Sequence, residues 1–299
     1  MTAVGLIGAG AVGQTVGTLL VSSGWCDTIV VASGRGHTAA ALVTDLEDMG
    51  QVTSSPVRAV QAAPAGMGGC DALVVCPRAV FTNTATSDTR MTGLAANAPV
   101  IAALARQFVG YQGVVIVVTN PVDVMTRLFA EVSGCGTVLG VGSSTDTVRY
   151  RLTLARLLDV PARAVAGHVI GEHGDNAVIC ASSTTVHGRP VSVPLRQVRD
   201  ELRHRPRRIV EGIGRTRSGP AGAAVTALAH ALGLTDGVVE LSSPWRGDWY
   251  GMPLLFTAGT ATVRLPQLSP DEALQLQAAA AKLRTAYAQI AVLKETPPS

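Results

Sequence analysis

At 299 residues, with 47% hydrophobic and 15% charged side chains, the chain is long enough to bury a large core and too apolar to be disordered. A formal charge of +3 is too small to mark a nucleic-acid binder, and no apolar run reaches membrane-spanning length, so neither nucleic acid nor membrane is an expected partner. Five cysteines, Cys26, Cys70, Cys76, Cys135 and Cys180, are odd in number and widely spaced, which suits reduced thiols in a cytoplasmic protein rather than a disulfide framework or a metal site.

Residues 3–7 (AVGLI) predict a short strand, the glycines that follow a turn, and Val12, Val16, Leu19 and Leu20 a helix. The apolar start lacks the basic segment of a signal peptide, and its glycines have their own explanation below. Further strands are predicted at 28–32 (TIVVA), 72–76 (ALVVC), 114–118 (VVIVV) and 137–141, with helices at 38–48, 89–109 and 121–133. Continuous apolar strands alternating with helices predict a parallel sheet covered on both faces, the doubly wound Rossmann α/β class.

Beyond residue 144 the rhythm changes. A helix at 145–158 leads to short strands near 163–170, 177–181 and 185–192, then helices at 195–213 and 221–233. Strands near 237–242 and 254–264 precede a C-terminal helix entered through Ser269 as cap and Pro270 as first residue. The expected organisation is a dinucleotide-binding domain over 1–143 and a mixed α+β substrate domain over 144–299. RHRPRR at 203–208 is read as a solvated helix end and PWRGDWYG at 244–251 as a packed turn.

Gly8, Gly10 and Gly13 form GxGxxG between the first strand and helix, with Ala11 and Val12 inside the motif. In that context the first two glycines let backbone approach a pyrophosphate, the third lets helix pack on strand, and the helix N-terminus supplies partial positive charge. Asn120, in TNPV at the end of the strand 114–118, sits at the carboxyl edge of the sheet, where ligands of such folds bind. GEHGD at 171–175 places His173 in a glycine-flanked turn, and Asp146 and Arg149, three apart on a predicted helix, share a face. A buried carboxylate can fix an imidazole tautomer, and an Arg fork can clamp a carboxylate. Together these are the parts of a 2-oxo-acid reductase.

GAGAVG, TNPVD, the D-x-x-R of 146–149 and GEHGD occur in the order and near the spacing of the lactate/malate dehydrogenase family, which this sequence resembles over nearly its whole length. The resemblance implies that His173 exchanges the proton with the substrate oxygen, Asp146 orients it, Arg149 clamps the substrate carboxylate, and Asn120 bridges cofactor and substrate. It also implies that Thr216 lines the pocket and that Arg90 closes over the substrate from a mobile loop and polarises its carbonyl. The implied reaction moves hydride between a nicotinamide cofactor and a 2-oxo acid/L-2-hydroxy acid pair, in a homodimer or homotetramer. The alternative is a catalytically silent NADP-binding sensor or scaffold, motivated by an atypical loop.

Two departures from the family pattern matter. Where NAD-using members end the second strand in Asp, this chain has Ser33, followed by Arg35 in VVASGRG. Loss of the carboxylate removes its repulsion of a 2′-phosphate, and a hydroxyl and a cation take its place, so NADP(H) is favoured, with NAD(H) as the other candidate. The loop from Pro77 to Thr89 is longer than usual, and Thr84 occupies the specificity position six residues before Arg90, so the 2-oxo acid is left open. Arg78 or Arg217, turned inward, would bind a second carboxylate, although each is read as facing solvent.

Overall fold

Val and Ile dominate the first strands, and β-branched side chains suit a pleated surface better than a helix. The computed structural model describes residues 1–85 and 87–294; Thr86 of the long loop and residues 295–299 of the expected second domain lie outside the described residues. The opening strands are β1 (Ala3–Ile7), β2 (Thr28–Ala32), β3 (Arg58–Gln61), β4 (Ala72–Val75), β5 (Val114–Val117) and β6 (Thr137–Gly140). They alternate with α1 (Ala11–Val21), α2 (Gly36–Thr53), α3 (Leu94–Arg106) and α4 (Val122–Ser133).

These six strands are parallel in the order β3-β2-β1-β4-β5-β6, the winding of a Rossmann sheet. Strand order reverses between β1 and β4, and the crevice at their carboxyl ends is where such folds take ligands. Leu73, Val74, Val75, Val115, Ile116 and Val117 are fully buried, which requires cover on both faces of the sheet. The helices supply it in two packed groups, α1 with α2 and the later α7 (Ser218–Ala231), and α3 with α4 and the C-terminal α8 (Pro270–Ala288). Truncating one such side chain, Ile116→Ala, would cost about 3 kcal/mol.

The second half comprises α5 (Ser143–Leu157), β7 (Val165–Ala166), β8 (Val169–Gly171), β9 (Ala177–Ile179), β10 (Thr185–Val186) and β11 (Arg189–Pro190). It continues with α6 (Leu195–Ile213), α7, β12 (Gly237–Trp245), β13 (Asp248–Thr257), β14 (Thr260–Val263) and α8. Strands β12, β13, β8 and β9 add antiparallel to β6, so among the described residues one eleven-stranded sheet runs through both halves, with β14 on β13. Strands β11, β10 and β7 form a separate small sheet.

Three local expectations change, and a fourth, the packed turn, gains its exact form. The edge strand β3 was not foreseen, because four residues reading RAVQ carry too little pattern. The single helix expected over 89–109 starts only at Leu94, after a short 3-10 turn at Met91–Gly93. PWRGDWYG is a two-residue hairpin between β12 and β13: Trp245 pairs with Asp248, and both Arg246 and Gly247 take positive φ, 51° and 86°. RHRPRR is no helix end but lies inside α6. Pro206 forfeits only its own N–H to the Leu202 carbonyl, and the rest of the 19-residue helix continues around it. The α8 entry matches expectation, since Ser269 and Glu272 complete a reciprocal capping box behind Pro270.

Candidate active site

At the carboxyl end of β1 the backbone turns at Gly8, whose φ of +117° is a conformation that side chains resist. A Cβ at Gly13 would sit 1.8 Å from the Gly8 carbonyl oxygen, so only glycine lets α1 close on the turn. Gly10 caps α1, and a Cβ there would meet nothing within 4 Å. The first-turn amides of Ala11, Val12 and Gly13 have no helical carbonyl behind them and face that open space. This backbone cradle fits the pyrophosphate of a dinucleotide. The carboxamide oxygen of Asn120, beyond β5, is buried without a hydrogen-bond partner among the described residues, a fit for an amide of the same cofactor.

Five elements bring the remaining groups together. A cleft of about 620 Å³ is lined by Arg90, Asn120, Asp146, Arg149, His173 and Thr216, among others. His173 Nδ1 lies 2.6 Å from Asp146 Oδ2. An ionised carboxylate can only accept, so Nδ1 carries the hydrogen and Nε2 is left for a ligand. Arg149 donates to Asp146 Oδ1 at 3.2 Å, and Arg90 approaches the same oxygen at 3.9 Å. Burial opposes ionisation of Asp146, but His173, Arg90 and Arg149 outweigh it and hold the carboxyl well below the usual range. Burial, reinforced by Arg90, lowers His173 below its ordinary value against the pull of Asp146, so the imidazole rests neutral.

Two residues that sequence reasoning passed over position the histidine. Asp123, the last residue of TNPVD, is 3% exposed in the first turn of α4, and its Oδ2 accepts from the His173 backbone N–H at 2.8 Å. Burial pushes Asp123 up to about 7, although that hydrogen bond pulls the other way. Gly142 caps α5, and a Cβ there would lie 2.5 Å from His173 Cβ and Cγ. Asn97 ties the site to the loop, donating to the Asn120 carbonyl at 2.8 Å and accepting from the Ala79 N–H at 2.8 Å. The Asn120–Pro121 peptide bond is cis.

The loop that carries Arg90 is fastened to the His173 turn. Asp88 donates its backbone N–H to Asp175 Oδ2 at 3.0 Å. Lys282, on α8, bridges the Asp88 carboxylate to Glu172, whose Oε1 is 2.9 Å from Nζ. The two acids of GEHGD therefore receive the loop instead of acting on substrate. Burial works against the charge on Lys282, but both carboxylates outweigh it and keep it cationic.

Not every expected residue reaches the cleft. Thr84 is exposed and does not line it; Ser87 and Thr89 do. Arg78 lies over the Phe81 ring, 4.5 Å from its centroid, and both it and Arg217 are exposed outside the cleft lining, the solvent-facing placement read from the sequence. Ser33 and Arg35 stand at the end of β2: Ser33 Oγ is 2.8 Å from Thr38 Oγ1, and Arg35 caps α2. All five cysteines are free, and among the described residues no helix is long and apolar enough to cross a membrane and no cluster could hold a metal ion.

Comparison with known proteins agrees with this architecture. Residues 2–138 match the model of the lactate/malate dehydrogenase NAD binding domain, and residues 144–293 match that of the lactate/malate dehydrogenase alpha/beta C-terminal domain. An L-lactate dehydrogenase of Treponema denticola is 28% identical over 95% of this chain and 97% of its own length. One of Chloroherpeton thalassium is 32% identical over 77% of this chain and 79% of its own. The crystal structure of malate dehydrogenase from Plasmodium falciparum superposes with a TM-score of 0.90 at 19% identity, covering 98% of this chain and 100% of that one. The chain belongs to the lactate/malate dehydrogenase family.

Proposed function

We propose that the protein is a nicotinamide-dependent dehydrogenase that interconverts a 2-oxo acid and its 2-hydroxy acid. The observation that carries this reading is the 2.6 Å contact between His173 and Asp146 in a cleft that also presents Arg149 and Arg90. The nicotinamide, when bound, would supply hydride to C2 of the 2-oxo acid or accept it from C2 of the 2-hydroxy acid. Gly8, Gly10, Ala11, Val12 and Gly13 would hold its pyrophosphate, and Asn120, whose buried Oδ1 has no partner among the described residues, would receive its carboxamide and face the substrate. Arg149 keeps one amino group on Asp146 and presents the rest of its fork to the substrate carboxylate.

Protonated His173 donates from Nε2 to the carbonyl oxygen during reduction, and neutral His173 takes that proton back during oxidation. Asp146 fixes the tautomer and stabilises the imidazolium. Arg90 places charge beside the oxygen as negative charge develops there, in a site the closed loop shields from water. Thr216 contributes to the pocket wall. A substrate carboxylate between Arg149 and Arg90 offsets their repulsion of the imidazolium, so binding itself raises the affinity of His173 for the proton it must carry. A silent sensor would have no use for this buried ion set, which favours the enzyme reading.

For the cofactor, we infer a preference for NADP(H) over NAD(H). Its support is local: no carboxylate stands at the end of β2, and Arg35 places a cation at the N-terminus of α2, a natural seat for a phosphate. Reducing cytoplasm suits the five free thiols, and a homodimer or homotetramer is the expected assembly. Initial rates with a panel of 2-oxo acids and each reduced cofactor test the reading. Turnover of at least one acid, faster with NADPH, is expected, and Arg35→Ser should lower the NADPH/NADH ratio of kcat/KM about tenfold. A parent enzyme that prefers NADH overturns the cofactor preference, and failure to reduce any acid overturns the function.

A further inference from the structure

Arg90, Arg149, Arg199, Arg203 and Arg207 line the cleft together with two carboxylates, Asp146 and Asp175. Asp146 is committed to His173 and Arg149, and Asp175 accepts from the loop backbone at Asp88. The reaction above employs Arg149 and Arg90. It gives no task to Arg199, Arg203 and Arg207, the cleft-lining arginines of α6.

Those three are spaced four apart, so they share one face of the helix. The helix sorts its charges. Glu201 sits on another face and binds Arg205 at 3.7 Å and Arg208 at 2.5 Å, neutralising cations away from the cleft. On the cleft side, Arg199 donates to a neutral group, the Gln275 amide oxygen at 3.2 Å, and Arg203 has no carboxylate partner among the described residues. Leu202, Pro206 and Val210 line the cleft between them, giving an apolar wall studded with guanidinium groups. At about 620 Å³ the cleft is on the scale of a drug-sized ligand, with room for an acid longer than pyruvate beside a nicotinamide ring. An apolar wall with cations along it matches a methylene chain that ends in an anion.

We propose that the arginine row of α6 reads a second, distal anionic group of the substrate, so that the preferred 2-oxo acid is a long one ending in a carboxylate. This inference rests on the dehydrogenase reading and names its substrate class. It also replaces Arg78 and Arg217, which do not reach the cleft, as the readers of a second charge.

The test uses matched acids that differ only at the far end: 2-oxoglutarate against 2-oxopentanoate, 2-oxoadipate against 2-oxohexanoate, and 2-oxopimelate against 2-oxoheptanoate. The full-length enzyme with saturating reduced cofactor should favour the charged member of at least one pair by about tenfold or more in kcat/KM. Arg203→Gln and Arg207→Gln, both at exposed side chains, should each cut that ratio about tenfold with Tm unchanged. Inorganic phosphate should compete with the charged acid. A ratio near one in every pair, or a ratio that neither variant moves, overturns the proposal while the dehydrogenase stands. Phosphate that instead accelerates turnover of the uncharged acids would assign the row to a free anion and overturn it as well. If no acid of either kind is reduced, the function itself fails and this inference with it.

Discussion

At the carboxyl end of β1 the molecule presents backbone: a left-handed glycine, an open helix start and a contact that excludes any Cβ at Gly13. At the carboxyl ends of β5 and β6 it presents side chains, with Asp146 and Arg149 from α5 joined by Asn120, His173 and Arg90 from three separate segments. The first grip is made by six consecutive residues and tolerates almost no change in shape. The second is assembled over more than eighty positions of sequence, from Arg90 to His173, and tolerates almost no change in charge. On the proposed reading, binding of a common cofactor and chemistry on a particular substrate are thus secured by different physical means.

Removing the proposed proton carrier should strike the side-chain end hardest. His173→Asn should lower kcat for reduction about 1,000-fold and leave the affinity for reduced cofactor within about twofold, measured by steady-state rates and fluorescence titration. The mirror experiment is Gly13→Ala, which should weaken cofactor binding by about tenfold or more and lower Tm, because its Cβ collides with the Gly8 carbonyl oxygen. If both variants lose both properties equally, the division between the two ends is wrong.

Lys282 lies outside both ends and sharpens the contrast, since it is not part of the cleft lining. Lys282→Met should unfasten the loop from Glu172 and raise KM for the 2-oxo acid about fivefold, with a smaller effect on kcat. An unchanged KM would mean that closure does not depend on the bridge.

The smallest expected effect is a displacement along the pH axis. Because burial and Arg90 lower His173, the protonated form needed for reduction is lost below the ordinary value of 6.5, and kcat/KM for reduction should fall as pH rises through that limb. Arg90→Gln removes the larger of the two guanidinium charges that oppose the imidazolium and should move the limb to higher pH, whatever it does to the maximum rate. A limb that stays in place would show that Arg90 does not act on the imidazole.

The legibility of the sequence follows the same division. The glycine cradle and the strands TIVVA and VVIVV are local patterns, and each lies where its period and punctuation put it. His173, Asp146 and Arg149 were readable because four short motifs occur in family order, not because spacing alone could show that they meet. Asp123 was hidden because its value depends on burial and on a hydrogen bond to residue 173, fifty positions away. Lys282 was hidden for the same reason, as a cation on the last helix whose partners lie on a loop and a turn far upstream. RHRPRR misled because Pro206 and a dense run of charge resemble a frayed end, whereas the face that Arg203 and Arg207 share is set by helix period and revealed only by what lies opposite.

The junction of β6 with β12 has a mechanical consequence. One backbone ladder crosses from the nucleotide-binding half into the half that carries His173, so opening the two like a jaw would strain the pairing of β6 with β12. Admission of substrate falls to surface segments such as the Arg90 loop, and a chain cut after residue 143 would bare the flank of β6 and invite self-association.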